Sequence, residues 1–332
     1  MKKLLQNRIA ESSLTLPLTA VYALGVWLAA GLVTRQWWGQ LACFAATSYL
    51  MVELSNSNAL LRVRSRMVSA TFLVLSSMVC CTFGSLPGGI VQLCCAATLI
   101  ILFHTYQDKA SPGWVYYAFL CLGLGTTVFA PLLFFLPVLW LLMATQLQSL
   151  SWRTWAASLL GVATPYWFGA LWFIYQRDFT PLADHFAQLG RWGTGADGQP
   201  LPYLTQLLNL TVSQTAALAL TMVLTLTGML HFWLRSYEDK IRIRLLYGFF
   251  AVLWLLTVAM LAAQPQHYDV LMRLVVVCGS PFIAHYFTLT HSRLTNIVFC
   301  TSVVLAVALM LFSLLTATVA PLQSLNPAWS GL

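Results

Sequence analysis

Apolar runs long enough to cross a bilayer follow one another along this chain, with only brief polar breaks between them. A hydrocarbon core about 30 Å thick takes roughly 20 apolar residues as a helix. Backbone in lipid must satisfy its hydrogen bonds internally, so runs without strict alternation are read as helices. Charged residues are 8% of the chain and hydrophobic residues 59%, with a mean hydropathy of +0.78. A soluble domain is roughly a quarter charged, so too few charges are present to build a water-facing surface. The sequence predicts an all-α, polytopic transmembrane helix bundle, a single integral membrane domain over residues 1–332 with about eleven spans. These spans run near 14–33, 37–54, 67–83, 90–106, 114–129, 132–146, 156–175, 205–234, 245–263, 271–290 and 297–319. Residues 114–146 read either as two short helices or as one helix broken near Pro131.

Positive charge alternates with the breaks. Lys2, Lys3, Arg8, Arg62, Arg64, Arg66, Lys109, Arg153, Arg235, Lys240, Arg242, Arg244 and Arg293 all fall in connections that share one side. Only Arg35, Arg177, Arg191 and Arg273 fall on the other. Insertion leaves Lys and Arg in the cytoplasm, which predicts a bacterial inner-membrane protein with a cytoplasmic N-terminus and an outer C-terminus. The net charge of +8 then belongs to topology and to the anionic inner leaflet rather than to a nucleic acid. Leu16–Val33 is followed by Thr34-Arg35-Gln36-Trp37-Trp38, not by a small-residue cleavage site, and reads as a retained first span. In residues 2–9, Leu4, Leu5 and Ile9 share a helical face, which suits a short helix on the inner surface.

The eight cysteines all lie in apolar runs and read as small hydrophobes rather than as a disulfide framework. Gly123, Gly125 and Gly161 suit close helix contact, and Pro137, Pro165 and Pro281 each remove a backbone donor inside a span. His104, His231 and His285 lie near inner helix ends without metal-ligand spacing. No Walker A loop, nucleophile elbow or His-Glu-x-x-His motif is present. Nothing in the sequence calls for a metal or other cofactor.

The longest polar connection is the outer loop at about 176–204. With Thr180 as N-cap and Pro181 at the first helical position, Leu182, Phe186 and Leu189 predict a short amphipathic helix on the outer membrane surface. The glycine-rich stretch 193–198 follows it. A second outer segment, Gln264–Arg273, contains His267 and Asp269. Arg35, Arg177, Asp184, His185, Arg191, His267 and Arg273 are the candidate ligand-binding residues, and Asp178 and Asp269 the candidate catalytic carboxylates. Arginine there suits a phosphate-bearing anion. The plainer alternative is a solvated rim.

The stretch Leu54-Ser-Asn56-Ser-Asn58-Ala-Leu-Leu-Arg62-Val-Arg64-Ser-Arg66-Met67 resembles the first inner loop of an uncharacterised family of bacterial multi-spanning inner-membrane proteins. Trp152-Arg-Thr-Trp155 and Gly161-Val-Ala-Thr164-Pro165-Tyr166 are similar to that family's central span. At greater distance, the layout of many helices, short turns and an outer juxtamembrane helix resembles the C-type glycosyltransferases that use polyprenyl-phosphate sugars. That resemblance implies membrane lipids and a polyprenyl-phosphate-linked substrate as partners. It also implies a catalytic carboxylate in the first outer loop, where Thr34-Arg35-Gln36-Trp37-Trp38-Gly39-Gln40 has none. The expected function is the handling of a lipid-linked or anionic envelope intermediate at the outer face. The alternatives are a non-enzymatic scaffold with an envelope protein partner, and a transporter or flippase.

Overall fold

The computed structural model describes residues 4–63, 65–190 and 210–325. Among these it contains thirteen α-helices and no strand. They are α1 (Leu5–Glu11), α2 (Thr15–Ala29), α3 (Trp38–Asn58), α4 (Met67–Ser76), α5 (Leu86–Phe103), α6 (Pro112–Val128), α7 (Phe135–Thr145), α8 (Trp152–Gln176), α9 (Thr180–Ala187), α10 (Val212–Arg235), α11 (Ile241–Ala263), α12 (Tyr268–Leu289) and α13 (Arg293–Leu325). Six of the long helices are apolar enough to cross a membrane, or seven if α1 and α2, bent by 93°, count as one span.

Helix α12 is the axis of the bundle. It packs against α4, α5, α10 and α11 and is almost wholly buried. Helices α3, α5, α6 and α8 follow as successive neighbours, so α8 lies at an edge with its aromatic face turned outward. The glycines expected to permit close approach do so. A Cβ on Gly161 would lie 2.6 Å from the carbonyl oxygen of Tyr116, and one on Gly123 would lie 2.9 Å from that of Val162. Small residues let helices associate where no hydrophobic force drives them together. Pro281 leaves the Val277 carbonyl without its helical donor, and the Ser280 hydroxyl donates to it at 3.3 Å. Pro137 falls in the first turn of α7, where its missing N–H costs nothing.

Several elements differ from the sequence expectation. The apolar run from 67 breaks at Ser76, and a 3₁₀ turn at Cys80–Thr82 follows. Ser77 donates back to the Leu73 carbonyl, a local bond that competes with helix continuation. Ser85 then caps α5, accepting from the Gly88 N–H. Around Pro131 the expectation holds in its two-helix form, with α6 and α7 joined by a 3₁₀ turn over Ala130–Phe134. Helix α9 begins at Thr180 itself rather than after it: the Asp178 carboxylate accepts from the Thr180 N–H at 2.9 Å and from its hydroxyl. In α1 polar side chains are among those buried deepest. Gln6 and Asn7 are buried, whereas Leu5 is half exposed. Gln6 Nε2 donates to the carbonyls of Phe287 at 2.7 Å and Thr290 at 2.8 Å, groups that the end of α12 leaves without helical donors.

Contacts sort the turns into two ends. At one end lie α1, residues 58–63, 65–66, 104–111, 146–151, 235–241 and 289–293, tied together by bonds such as Arg242 to Asn58 and Ser151 to the Lys109 carbonyl. This is the Arg62 end. The opposite end carries Arg35, the 82–89 turn, residues 128–134, α9 and residues 264–268.

Candidate functional site

At the Arg62 end the chain gathers its densest polar cluster. The connection after α10 runs Ser236-Tyr237-Glu238-Asp239-Lys240, and Glu238-Asp239 is the only adjacent acidic pair in the sequence. A 3₁₀ turn over Ser236–Glu238 swings Asp239 inward, where its side chain is 1% exposed. Arg62 Nε donates to Asp239 Oδ1 at 2.6 Å, and a second guanidinium nitrogen bonds Glu238. His285 Nε2, from the buried face of α12, donates to Asp239 Oδ2 at 3.3 Å. Burial raises the Asp239 carboxyl, but the bonds from His285 and Arg62 outweigh it and hold it at about 2. The same bond to Asp239 lifts the Arg62 guanidinium above its ordinary range. Two charges are thereby fixed against each other across 177 positions of sequence.

An aromatic floor supports the cluster. Phe232 stacks on Tyr247 with centroids 4.4 Å apart, and both meet the His285 ring edge-on. The Tyr247 hydroxyl lies 3.4 Å from the Leu60 carbonyl and 3.3 Å from that of Pro281. It joins α11, α12 and the Arg62 segment beneath the ion pairs.

Above the cluster opens a cavity of about 590 Å³. Arg62, Arg235, Glu238, His231, His291 and the Ser292–Thr295 turn line it. Arg235 gives one N–H to Glu238 at 3.0 Å, and its side chain is 58% exposed. A guanidinium has five donors, so Arg235 keeps donors beyond its Glu238 bond. Glu238 and Asp239 balance Arg62 and Arg235, so the pull on an anion rests on the guanidinium donors left over rather than on net charge. The N-terminus of the long helix α13 adds the partial positive charge of its backbone amides; Ser292 caps it, accepting from the Thr295 N–H. The arrangement suits an anion with several oxygen acceptors.

The residues that the sequence placed on the outer side fall into two groups among the described residues. In the first, Arg35 lies over the Trp37 ring at 5.0 Å, and Trp37 packs on Gly84. Arg273 is buried beneath the same turn. It donates to Gln92 Oε1 at 3.3 Å and to the Thr82 carbonyl. The Arg273 guanidinium thus supplies a donor to the backbone left open where α4 breaks, and a cavity of only about 20 Å³ adjoins it. Asp269 lies one helical turn before Arg273, half-buried. His267 meets Phe129 edge-on at 5.0 Å.

The second group sits at α8 and α9. Arg177 takes a left-handed conformation at the C-cap of α8. Asp178 is engaged with Thr180, which holds its carboxyl below the usual range. Asp184 is exposed on α9. His185 Nε2 lies 3.4 Å from the Tyr166 hydroxyl, beside a mostly apolar cavity of about 490 Å³ that Leu182 and Phe168 also line. Helices α5 and α6 stand between the two groups in the packing order. Arg191 and the glycine stretch 193–198 lie outside the described residues.

Among the described residues no group of three or more His, Cys, Asp or Glu side chains is placed to hold a metal. Sequence reasoning passed over Glu238, Asp239 and His291, and read Arg62 and Arg235 only as topology. The available signal was the lone acidic pair inside a basic connection. No family model, curated protein or solved structure matches this chain, so neither resemblance drawn from the sequence finds support there.

Proposed function

We propose that this chain is a multi-pass protein of the bacterial inner membrane that binds a phosphate-bearing anion in the cavity at its Arg62 end, on the cytoplasmic side. The observation that carries this reading is the convergence of Arg62, Arg235, His231 and His291 on one cavity beside a helix N-terminus. The orientation is supported by the basic residues gathered there, as the positive-inside rule requires. The alternation of turns between the two ends supports about eleven crossings, short ones included. Binding without chemistry is the form the site favours, because its carboxylates are spent on Arg62, Arg235 and His285. The outer-face reading, in which Arg35, Arg177, Arg191 and Arg273 grip a polyprenyl-phosphate-linked intermediate, has less support: Arg273 is engaged under a turn and Arg177 belongs to a different group of helices.

The test is lipid binding by purified protein in detergent, followed by native mass spectrometry with phosphatidylglycerol as the probe. Arg235→Gln removes a mostly exposed charge and leaves the Arg62–Asp239 pair in place. It is expected to weaken binding about tenfold, the worth of one charge-assisted hydrogen bond. Arg273→Ala is expected to leave binding unchanged. The reverse pattern would transfer the site to the outer face.

A further inference from the structure

An apolar crevice of about 390 Å³ opens beside the polar cavity. Leu5 and Ile9 of α1, Val74 of α4, Leu224 of α10, Phe287 of α12 and Phe299 of α13 line it. The two cavities share three helices within short distances. On α13, Thr295 lines the polar cavity and Phe299 the crevice, four residues or about 6 Å of helix rise apart. On α12, Leu289 and Phe287 divide in the same way. On α10, His231 and Leu224 are seven residues apart, about 10 Å. Helix α1 bridges the border. Its Gln6 and Asn7 bind the α12–α13 turn at the polar side, through Phe287, Thr290, Asn296 and His291. Its Leu5 and Ile9 face the crevice.

From this juxtaposition we infer that the occupant of both cavities is one phospholipid-class amphiphile, with its phosphodiester in the polar cavity and one acyl chain in the crevice. This rests on the anion reading above and names its ligand class. The headgroup chemistry agrees, since phosphodiester oxygens accept from the donors that Arg235 keeps beyond its Glu238 bond. The crevice contributes close packing along the chain, which in a bilayer or micelle replaces contacts with lipid or detergent rather than with water. Helix α1 is the strap that holds head and chain together, polar on one face and apolar on the other.

Delipidated protein titrated by native mass spectrometry with three probes tests this: dipalmitoyl phosphatidylglycerol, dihexanoyl phosphatidylglycerol and glycerol 3-phosphate. Wild type is expected to hold the long-chain lipid about tenfold more tightly than the short-chain one, through chain packing in the crevice. Val303→Trp fills the crevice from a residue already 39% exposed. It is expected to abolish that chain-length preference while retaining short-chain binding. Val304→Trp, from a residue 67% exposed, is the second variant should the first fail to fold. Equal binding of long and short chains, or an unchanged preference in both folded tryptophan variants, overturns the amphiphile. If Arg235→Gln still weakens every probe in that case, the anion cavity stands without the crevice. If Arg235→Gln leaves every probe unchanged, the anion reading fails as well.

Discussion

Asp239 is the residue on which the Arg62 end turns. It is a carboxylate with a 1% exposed side chain, acceptable there only because Arg62 and His285 both bond it. Its carboxyl is held at about 2, against an ordinary value near 3.9 in an unfolded chain. A depressed folded value means that ionised Asp239 stabilises the fold above about pH 4 and loses that contribution as pH falls toward 2. The contribution is roughly 2–3 kcal/mol. Thermal unfolding in detergent checks this: the stability gap between wild type and Asp239→Asn is expected to stay level from pH 7 to 5 and to close between about pH 4 and 2. A gap that persists at pH 2 would show that the ion pair is not its source. None of this was legible in the sequence. Arg62, Asp239 and His285 come from three separate connections or helices, and the basic residues around Glu238-Asp239 read as topology alone. Arg273 was legible as a buried guanidinium needing a partner. That its partners would be Gln92 and the Thr82 carbonyl, opposite a helix break, was not.

At the scale of elements, apolar runs located the helices well because length and composition suffice for that. Boundaries failed where a polar side chain competes with the backbone. Ser77 helps end α4 early, and Asp178 starts α9 one residue sooner than Thr180 would. The small-residue contact between α6 and α8 was readable from Gly123 and Gly161. It carries its own prediction. A side chain at Gly161 meets the Tyr116 carbonyl at 2.6 Å and the Leu120 nitrogen at 3.0 Å, backbone atoms that cannot swing away. Gly161→Val is expected to push the two helices apart and to cost on the order of 1–3 kcal/mol, as overpacking does. Gly169→Val, on the same helix with open space around it, is the control expected to melt within about 0.5 kcal/mol of wild type apart from propensity. Equal melting of the two variants would remove the contact from the list of stabilising features.

Across the whole molecule, charge is distributed by end. The Arg35 end binds Arg35 and Arg273 into aromatic, amide and backbone contacts, whereas the Arg62 end combines ion pairs, an open polar cavity and an adjoining apolar crevice. The linear chain separates the basic connections from the rest, and it pointed to function on the opposite side, where isolated arginines stood out against an apolar background. A functional site assembled in a basic connection has no such contrast in the linear chain. The most direct measurement is a cryo-electron microscopy structure of the protein in a phosphatidylglycerol nanodisc. Density for a phosphate within hydrogen-bonding reach of Arg235 and the Ser292–Thr295 turn, continuing into the crevice beside Phe299, is the expected result. An empty cavity there, with lipid phosphate bound instead between Arg35 and Arg273, would contradict it.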